Sequence, residues 1–175
     1  MTLERDLDKP EHSADWHYRT IIGKLNFLEK STRPNLAVSV HSCARFSVDP
    51  RKSHTDAVHN IGRYLVGNGD KGIIIAPNDH SFDVYADADF CGLWNKETAM
   101  EDPSTAKSRT GYVILYANCP IVWASKLQTE TALSTTESEY MSLSSALRET
   151  ILLMQLINES KANTLLSMTM TPTVH

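Results

Sequence analysis

Two pairs of acidic residues stand where they could supply carboxylates to a bound metal ion. Asp87 and Asp89 close a predicted strand, and Glu137 and Glu139 lie in the first two turns of a predicted helix. Hard divalent cations such as Mg²⁺ and Mn²⁺ prefer oxygen ligands, and two-metal hydrolysis of a phosphodiester needs a cluster of them. A strand end and a helix start that meet at one end of a sheet could form such a cluster. The alternative is a set of ordinary surface carboxylates.

The amino-terminal part of the chain is predicted to form three short helices. Its apolar residues recur at three- and four-residue spacing, as in amphipathic helices. Pro34 fits the first turn of the second helix, and Gly67 fits the end of the third. The predicted helices cover roughly residues 16–30, 34–48 and 53–67.

The pattern changes to strands after residue 71. GIIIA (72–76) is short, apolar and β-branched, and it predicts a strand. The segment 81–90 alternates, so that Phe82, Val84 and Ala86 face one way while Asp83, Tyr85 and Asp87 face the other. Two further strands are predicted at 110–117 and 120–126.

A long helix is predicted to follow the strands. It begins at Ser134 and ends near residues 158–163. Its apolar residues recur at helical spacing, and we expect them to face the core. They are Tyr140, Leu143, Leu147, Ile151 and Met154.

Composition bounds the class of protein. No apolar run approaches the roughly 20 residues that a membrane-spanning helix needs, and the charged amino terminus lacks the apolar core of a secretory signal. The three cysteines are far apart and fit neither a metal-ligand spacing nor a disulfide framework. We expect an intracellular protein, in the cytoplasm or nucleus, with no membrane partner.

Four segments of the rear half carry motifs of one kind of domain. They are YADADFCG (85–92), SRTGYVILY (108–116), IVWASKLQ (121–128) and ALSTTESEYMSLSSALRE (132–149). Together they resemble the ribonuclease H domain of copia-type retrotransposons. The helical segment 18–67 independently resembles the thumb-like connection that follows the polymerase palm in the same polyproteins. The resemblance runs in collinear order from Trp16 to Glu159, which a chance match of single motifs does not explain.

The resemblance implies roles for two of the four acidic residues. Asp87 matches the family's first metal-binding aspartate, and Glu139 matches the metal-binding glutamate of the first helix. Asp89 and Glu137 are the alternatives, but Asp89 suits a turn after the strand, and Glu137 suits a capping box that begins at Ser134. The resemblance also implies Mg²⁺ or Mn²⁺ as cofactor. The implied substrate is an RNA–DNA hybrid, recognised by its shape and 2′-hydroxyls.

The chain departs from the family pattern after this helix. Family domains carry a third aspartate on a following strand and usually a fourth acidic residue or a histidine beyond it, whereas no Asp or Glu follows Glu159 here. The sequence also has no aromatic-x-Asp-Asp tetrad, the motif of the polymerase palm. We therefore expect a truncated fragment that does not polymerise DNA and does not cleave RNA alone. The strand of Asp87 would be left with a free edge that favours self-association and makes the rear unit marginally stable.

Charge is divided unevenly along the chain. The stretch from Trp16 to Gly72 has nine Lys/Arg and four Asp/Glu, whereas the part from Pro77 onward has six and twelve. A basic helical unit can bind phosphates. The candidate nucleic-acid contacts are Arg19, Lys24, Arg33, Arg45, Arg51, Lys52 and Arg63. The alternative function is therefore a non-catalytic module that binds nucleic acid or assembles with the polymerase portion of the parent polyprotein.

Together these patterns predict an α+β fold with two units. A helical amino-terminal unit precedes a partial ribonuclease H-like fold of three mainly antiparallel strands and a long helix. The predicted divisions are a loose segment (1–15), a helical unit resembling a reverse transcriptase thumb or connection (16–71), a partial ribonuclease H-like domain (72–163) and a truncated tail (164–175).

Overall fold

The computed structural model describes residues 3–97 and 99–169, with side chains as far as residue 161. Four α-helices and three strands follow one another as α1 Tyr18–Thr32, α2 Ala37–Ala44, α3 Lys52–Gly67, β1 Phe82–Asp89, β2 Arg109–Tyr116, β3 Cys119–Leu127 and α4 Thr135–Thr169. Short 3-10 turns at Pro34–Leu36 and Pro103–Ala106 precede α2 and β2. The α+β class and the antiparallel strands followed by a long helix are confirmed.

The three amino-terminal helices enclose a small apolar core. Its buried residues are Tyr18, Ile22, Leu25, Leu36, Val40, Cys43, Val58 and Ile61. The Tyr18 hydroxyl donates to the Cys43 carbonyl over 3.0 Å, so its polar atom is satisfied inside the core. The helical periodicity read from the sequence therefore identified these elements correctly, although α2 ends at Ala44, earlier than predicted.

The sheet has the order β1-β2-β3, and both pairs are antiparallel. A two-residue turn, Ala117-Asn118, joins β2 to β3, with φ of 54° and 64°. Positive φ at both residues gives a turn whose twist matches that of the flanking strands. Phe82, Val84 and Ala86 pack toward the core while Tyr85 and Asp87 are exposed, as the alternation predicted.

Helix α4 lies over β1 and β2 with a face made of small residues. Ser138, Ser142 and Ala146 are fully buried, and Ala146 packs with Tyr112 and Ile114 of β2. The predicted apolar stripe is on the other side of the helix and is 43–68% exposed. The expectation that it faces the core is wrong because the helix approaches the sheet closely, which leaves room only for small side chains.

Two other predictions about elements are wrong. Residues 72–76 form no strand, and Ile74 and Ile75 are 86% and 73% exposed, because no neighbouring strand lies beside them in the described ranges. Helix α4 continues to Thr169, past its predicted end and into the predicted tail, whose residues 170–175 lie outside the described part. Among the described residues, no helix is long and apolar enough to span a membrane.

Candidate functional site

Asp87 lies near the carboxyl end of β1, opposite Gly111 of β2. Its side chain is exposed, on the face away from the small-residue side of α4. Its backbone is held from the α4 side, where the Ser142 hydroxyl donates to the Asp87 carbonyl over 2.6 Å and lies 3.3 Å from the Gly111 carbonyl. Asp87 is therefore fixed at the point where helix and sheet meet.

Glu139 lies on α4 one turn before Ser142. Residues three apart on a helix are surface neighbours, with Cβ atoms about 5–6 Å apart. Because the Ser142 hydroxyl contacts the Asp87 carbonyl, the exposed Glu139 is placed beside the carboxyl end of β1. The backbone of Asp87 therefore lies near the helical turn that carries Glu139, whereas the Asp87 side chain leaves β1 on the face away from α4. Sequence patterns gave no sign of Ser142, because a serine within a helix has no distinctive spacing.

Asp89 is engaged in the turn that follows β1. A Cβ built on Gly92 would lie 2.0 Å from Asp89 Oδ2, so the carboxylate rests directly against the glycine backbone. Asp89 is also paired in register with Arg109. Burial is the main cause that lowers the pKa of Arg109, and the positive charge of the nearby Arg45 lowers it further. The negative charge of Asp89 opposes this lowering. These contacts fit the turn role expected for Asp89.

Glu137 takes part in capping α4. Its carboxylate accepts from the Leu133 backbone N–H over 2.6 Å, and its own N–H donates to the Ser134 hydroxyl over 3.1 Å. This arrangement satisfies donors that the start of a helix leaves without partners. The carboxylate of Glu137 is therefore occupied by the backbone, whereas Glu139 is not needed for the cap.

Asp87 and Glu139 offer the hard oxygen ligands that Mg²⁺ or Mn²⁺ would accept. Their number is short of a catalytic set, since within the described ranges no group of three or more His, Cys, Asp or Glu is placed to hold a metal ion. The residues present therefore fit only part of a metal site.

The seven basic candidates differ in how free their charges are. Arg33 is buried and donates to the Asn68 carbonyl, and Arg45 forms an ion pair with Asp102 at 2.8 Å. Local partners hold three others: Arg51 pairs with Asp49, Lys52 with Asp56, and Arg63 bonds to Asn60. Arg19 and Lys24 are exposed, and Arg19 donates to the Ser47 carbonyl. The charges of Arg45, Arg51 and Lys52 are therefore already paired with carboxylates of this chain.

A buried polar junction between the helices and the sheet was not foreseen. The Glu29 side chain is 1% exposed, and its Oε2 lies 3.7 Å from His41 Nε2. The Glu29 carbonyl accepts from the Trp123 indole N–H of β3 over 3.0 Å. Burial lowers the pKa of His41, and the nearby carboxylate of Glu29 opposes this. Sequence reasoning missed this contact because the residues lie up to 94 positions apart.

The chain is similar to several known proteins over most of its length. It is 35% identical over 142 residues to the retrovirus-related Pol polyprotein from transposon TNT 1-94 of Nicotiana tabacum, covering 81% of this chain and 10% of that protein. It is 33% identical over 160 residues to the Pol polyprotein from transposon RE2 of Arabidopsis thaliana, covering 91% and 10%. A third relative, the secreted RxLR effector protein 161 of Plasmopara viticola, is 33% identical over 135 residues, covering 77% and 89%.

The chain thus spans about a tenth of the length of the Pol polyproteins that it matches. No family model and no solved structure matches it. The similarity to the Pol polyproteins nevertheless extends over most of this chain at moderate identity. The chain belongs to the copia-type retrovirus-related Pol polyproteins of transposons.

Proposed function

We propose that this chain joins the end of a reverse transcriptase to the first half of a ribonuclease H domain. The intact parent would hydrolyse the RNA strand of RNA–DNA hybrids with two metal ions, Mg²⁺ or Mn²⁺. The proposal is supported by membership of the Pol family and by the order of three antiparallel strands followed by a long helix.

One observation supports this proposal most directly. The Ser142 hydroxyl bonds to the Asp87 carbonyl, and Glu139 lies one helical turn before Ser142, which supports a shared site near the carboxyl end of β1. A metal bound there would activate water and stabilise the leaving oxygen. Asp87 and Glu139 would supply part of its ligand set, and the remaining ligands would come from elsewhere in the parent. The isolated chain should therefore bind the metal weakly and fail to cleave.

Paramagnetic line broadening by Mn²⁺ tests the proposed ligands. With the isotope-labelled full chain, we expect the backbone amide signals near Asp87 and Glu139 to broaden first during a Mn²⁺ titration. Asp87→Asn or Glu139→Gln should abolish this local broadening. The matched variants Asp89→Asn and Glu137→Gln should keep it, because those carboxylates serve the turn and the helix cap. Broadening centred on Asp89 or on another part of the chain would overturn the assignment.

Activity is tested with a labelled RNA–DNA hybrid. The full chain with Mg²⁺ or Mn²⁺ should leave the RNA strand intact. A Pol protein that contains this segment together with the rest of its ribonuclease H domain should cleave it, and should lose cleavage on Asp87→Asn. If that longer protein retains full cleavage after the substitution, Asp87 is not a metal ligand.

The second candidate function is a non-catalytic nucleic-acid-binding or assembly module. The exposure of Arg19, Lys24 and Arg63 favours it, since these cations are accessible to phosphates. Binding of the full chain to the hybrid that weakens steeply with salt, and weakens further on Lys24→Gln, would support the module. Binding that is insensitive to salt and to this substitution would exclude it.

A further inference from the structure

The loop that leads into β2 is attached to the amino-terminal helices. We call residues 99–108 the entry loop. Arg45, which directly follows α2, donates to Asp102 Oδ2 and to the Ser104 hydroxyl of this loop, each over 2.8 Å. The Arg45 and Asp102 side chains are only 14% and 13% exposed, so their ion pair is largely shielded from water. The helical part of the chain therefore holds the entry loop in place.

The entry loop is in turn bonded to the end of β1. The Cys91 N–H donates to the Ser108 hydroxyl over 3.4 Å, and the Cys91 thiol lies 3.1 Å from the Ala106 carbonyl. Cys91 stands two residues after Asp89, the last residue of β1. A displacement of the entry loop would therefore reach the strand end that carries the candidate ligand Asp87.

A stack of three flat side chains supports the Arg45 attachment. The Arg45 guanidinium is 5.3 Å from the centre of the Phe46 ring, which is close enough for a cation–π contact. The Phe46 ring stacks on the His54 ring, with centroids 4.0 Å apart and planes inclined by 7°. Phe46 and His54 are both buried. The position of Arg45 therefore depends on that of His54 through Phe46.

His54 is held in its neutral form by two backbone partners. Its Nδ1 accepts from the Arg51 N–H over 2.9 Å. Its Nε2 lies 2.6 Å from the Glu4 carbonyl, which can only accept, so the proton of the neutral ring is assigned to Nε2. A second proton would have to enter at Nδ1, where it would face the Arg51 N–H. Protonation therefore costs the hydrogen bond to Arg51 and places a charge in a buried site.

Charged residues lie on the three segments packed against His54. They are Glu4, Asp6 and Lys9 in the amino-terminal segment, Asp49 and Arg51 before α3, and Arg45 after α2. Burial is the main cause that lowers the pKa of His54, whereas the bond to the Glu4 carbonyl and the charges of the two aspartates oppose this lowering. The two aspartates also form ion pairs with Lys9 and Arg51, which weakens their attraction for a charged ring. The fold therefore favours the neutral ring.

We propose that His54 is a pH-dependent latch on the entry loop. While its ring is neutral, it supports Phe46, and Phe46 supports the attachment of Arg45 to the loop. When the ring takes up a proton, repulsion at Nδ1 displaces it and the stack separates. The entry loop then detaches from the helices while the sheet stays folded. The latch acts on the strand end of Asp87, but it is a property of the fold and does not depend on the proposed nuclease ancestry.

Amide hydrogen exchange in the isotope-labelled full chain tests the latch. The N–H groups of Ser104, Thr105 and Lys107 are hydrogen-bonded within the entry loop, so their protection reports whether the loop is in place. Their protection, taken relative to the intrinsic exchange rate at each pH, should fall roughly tenfold from about pH 7.5 to about pH 5.5, because it is linked to one proton. The amides of Tyr112 and Ile114 in β2 should change by less than about threefold, since the sheet stays folded.

Two variants separate the titration of His54 from its packing. In His54→Gln the amide can accept from the Arg51 N–H and takes up no proton in this pH range, so the loop should stay protected at both pH values. Phe46→Leu keeps an apolar side chain but removes the stack, so the loop should be equally open at both pH values while His54 still titrates. His17→Gln is the matched control, since His17 is exposed and the variant should respond as wild type does.

The ring signals of His54, followed in the same titration, show where the proton is taken up. Loop protection that does not change as the ring titrates would overturn the latch, as would a loss in His54→Gln equal to that in wild type. A wild-type response in Phe46→Leu would contradict the coupling through the stack. An equal loss of protection at Tyr112 and Ile114 would also overturn the proposal, because the whole fold would then open rather than the loop.

Discussion

Glu137 and Glu139 stand two residues apart and have different structural settings. The Glu137 carboxylate caps α4 through the Leu133 N–H, whereas Glu139 is exposed beside the end of β1. We expect Glu137→Ala to lower the free energy of unfolding by about 1 kcal/mol, because loss of a helix cap costs roughly that much. Glu139→Ala should change it by less than about 0.5 kcal/mol. Urea unfolding followed by circular dichroism measures both, and equal losses would contradict the division of roles.

His54 is a fully buried histidine whose neutral form is built into the fold. Its Nδ1 accepts from the Arg51 N–H at 2.9 Å, its Nε2 lies 2.6 Å from the Glu4 carbonyl, and its ring stacks on Phe46. Protonation would replace the Nδ1 acceptor with a donor that faces another N–H. Burial lowers the pKa of His54 below 6.5, although the bond to the Glu4 carbonyl opposes the shift.

The lowered pKa of His54 predicts acid sensitivity. Because the folded form holds the proton less tightly than the unfolded form, stability is fully present above pH 6.5 and declines as the pH falls toward the folded pKa. The slope reaches at most about 1.4 kcal/mol per pH unit for one group. Urea unfolding at pH 7.5 and 5.5 should show a smaller loss in His54→Gln than in wild type. The exposed His17→Gln is the control, and an unchanged slope in His54→Gln would contradict the prediction.

At the scale of residues, the sequence was informative where a local rule applies. The turn after β1 and the capping box are local patterns, so the structural settings of Asp89 and Glu137 could be read from spacing. Ser142 and Glu29 are different. Each contacts a residue tens of positions away, and neither the residue type nor the flanking sequence predicts the contact. The number of carboxylates near the candidate metal site of Asp87 and Glu139 also depends on tertiary structure, so spacing along the sequence does not predict it.

Helix α4 shows why an apolar stripe is an incomplete guide to an element's buried face. Periodicity found the helix, but the sheet-facing side is built from Ser138, Ser142 and Ala146. Close approach to a sheet favours small side chains, and burying a serine is tolerated because its hydroxyl bonds to a backbone carbonyl. The orientation of an amphipathic element therefore requires knowledge of its neighbour, which the sequence alone does not contain.

The orientation of α4 predicts opposite responses at two neighbouring positions. Ala146→Leu should lower the free energy of unfolding by about 1–3 kcal/mol, because Ala146 is fully buried against the sheet and added volume overpacks it. Leu143→Ala should cost less than about 0.5 kcal/mol, because Leu143 is 43% exposed. Urea unfolding followed by circular dichroism measures both. The reverse order of losses would mean that the stripe faces the core.

The predicted strand at 72–76 fails for a related reason. A short β-branched run has the propensity for a strand, but it becomes one only when a neighbour supplies backbone partners. Ile74 and Ile75 are exposed instead. The hairpin of β2 and β3 is the opposite case, because its partner follows after a two-residue turn and pairing is local.

At the scale of the whole molecule, the uneven charge predicted two units, and that division stays a prediction. Polar contacts link the helices to the sheet and its loop. Arg45, which directly follows α2, pairs with Asp102 and also donates to the Ser104 hydroxyl, each over 2.8 Å. Trp123 of β3 donates to the Glu29 carbonyl of α1 over 3.0 Å. Composition could reveal that the two halves differ in charge. It could not reveal that Arg45 of the basic half forms an ion pair with Asp102, in a loop of the acidic half.

The Arg45–Asp102 pair should couple the stability of the two units. Its side chains are only 14% and 13% exposed, so removal of one partner leaves a partly buried charge unpaired. We expect Arg45→Met to lower the free energy of unfolding by about 1–3 kcal/mol, as for hydrogen bonds to charged groups. Asp102→Asn should cost less in the Arg45→Met background than alone, and a double-mutant cycle measures that difference. Because the pair links helices to sheet, Arg45→Met should lower the unfolding midpoint of both units. Tryptophan fluorescence measures the two midpoints separately. Trp16 reports on the helical unit and Trp123 on the sheet, each in a variant whose other tryptophans are replaced. A lowered midpoint in only one of the two would mean that the ion pair acts only within its own loop.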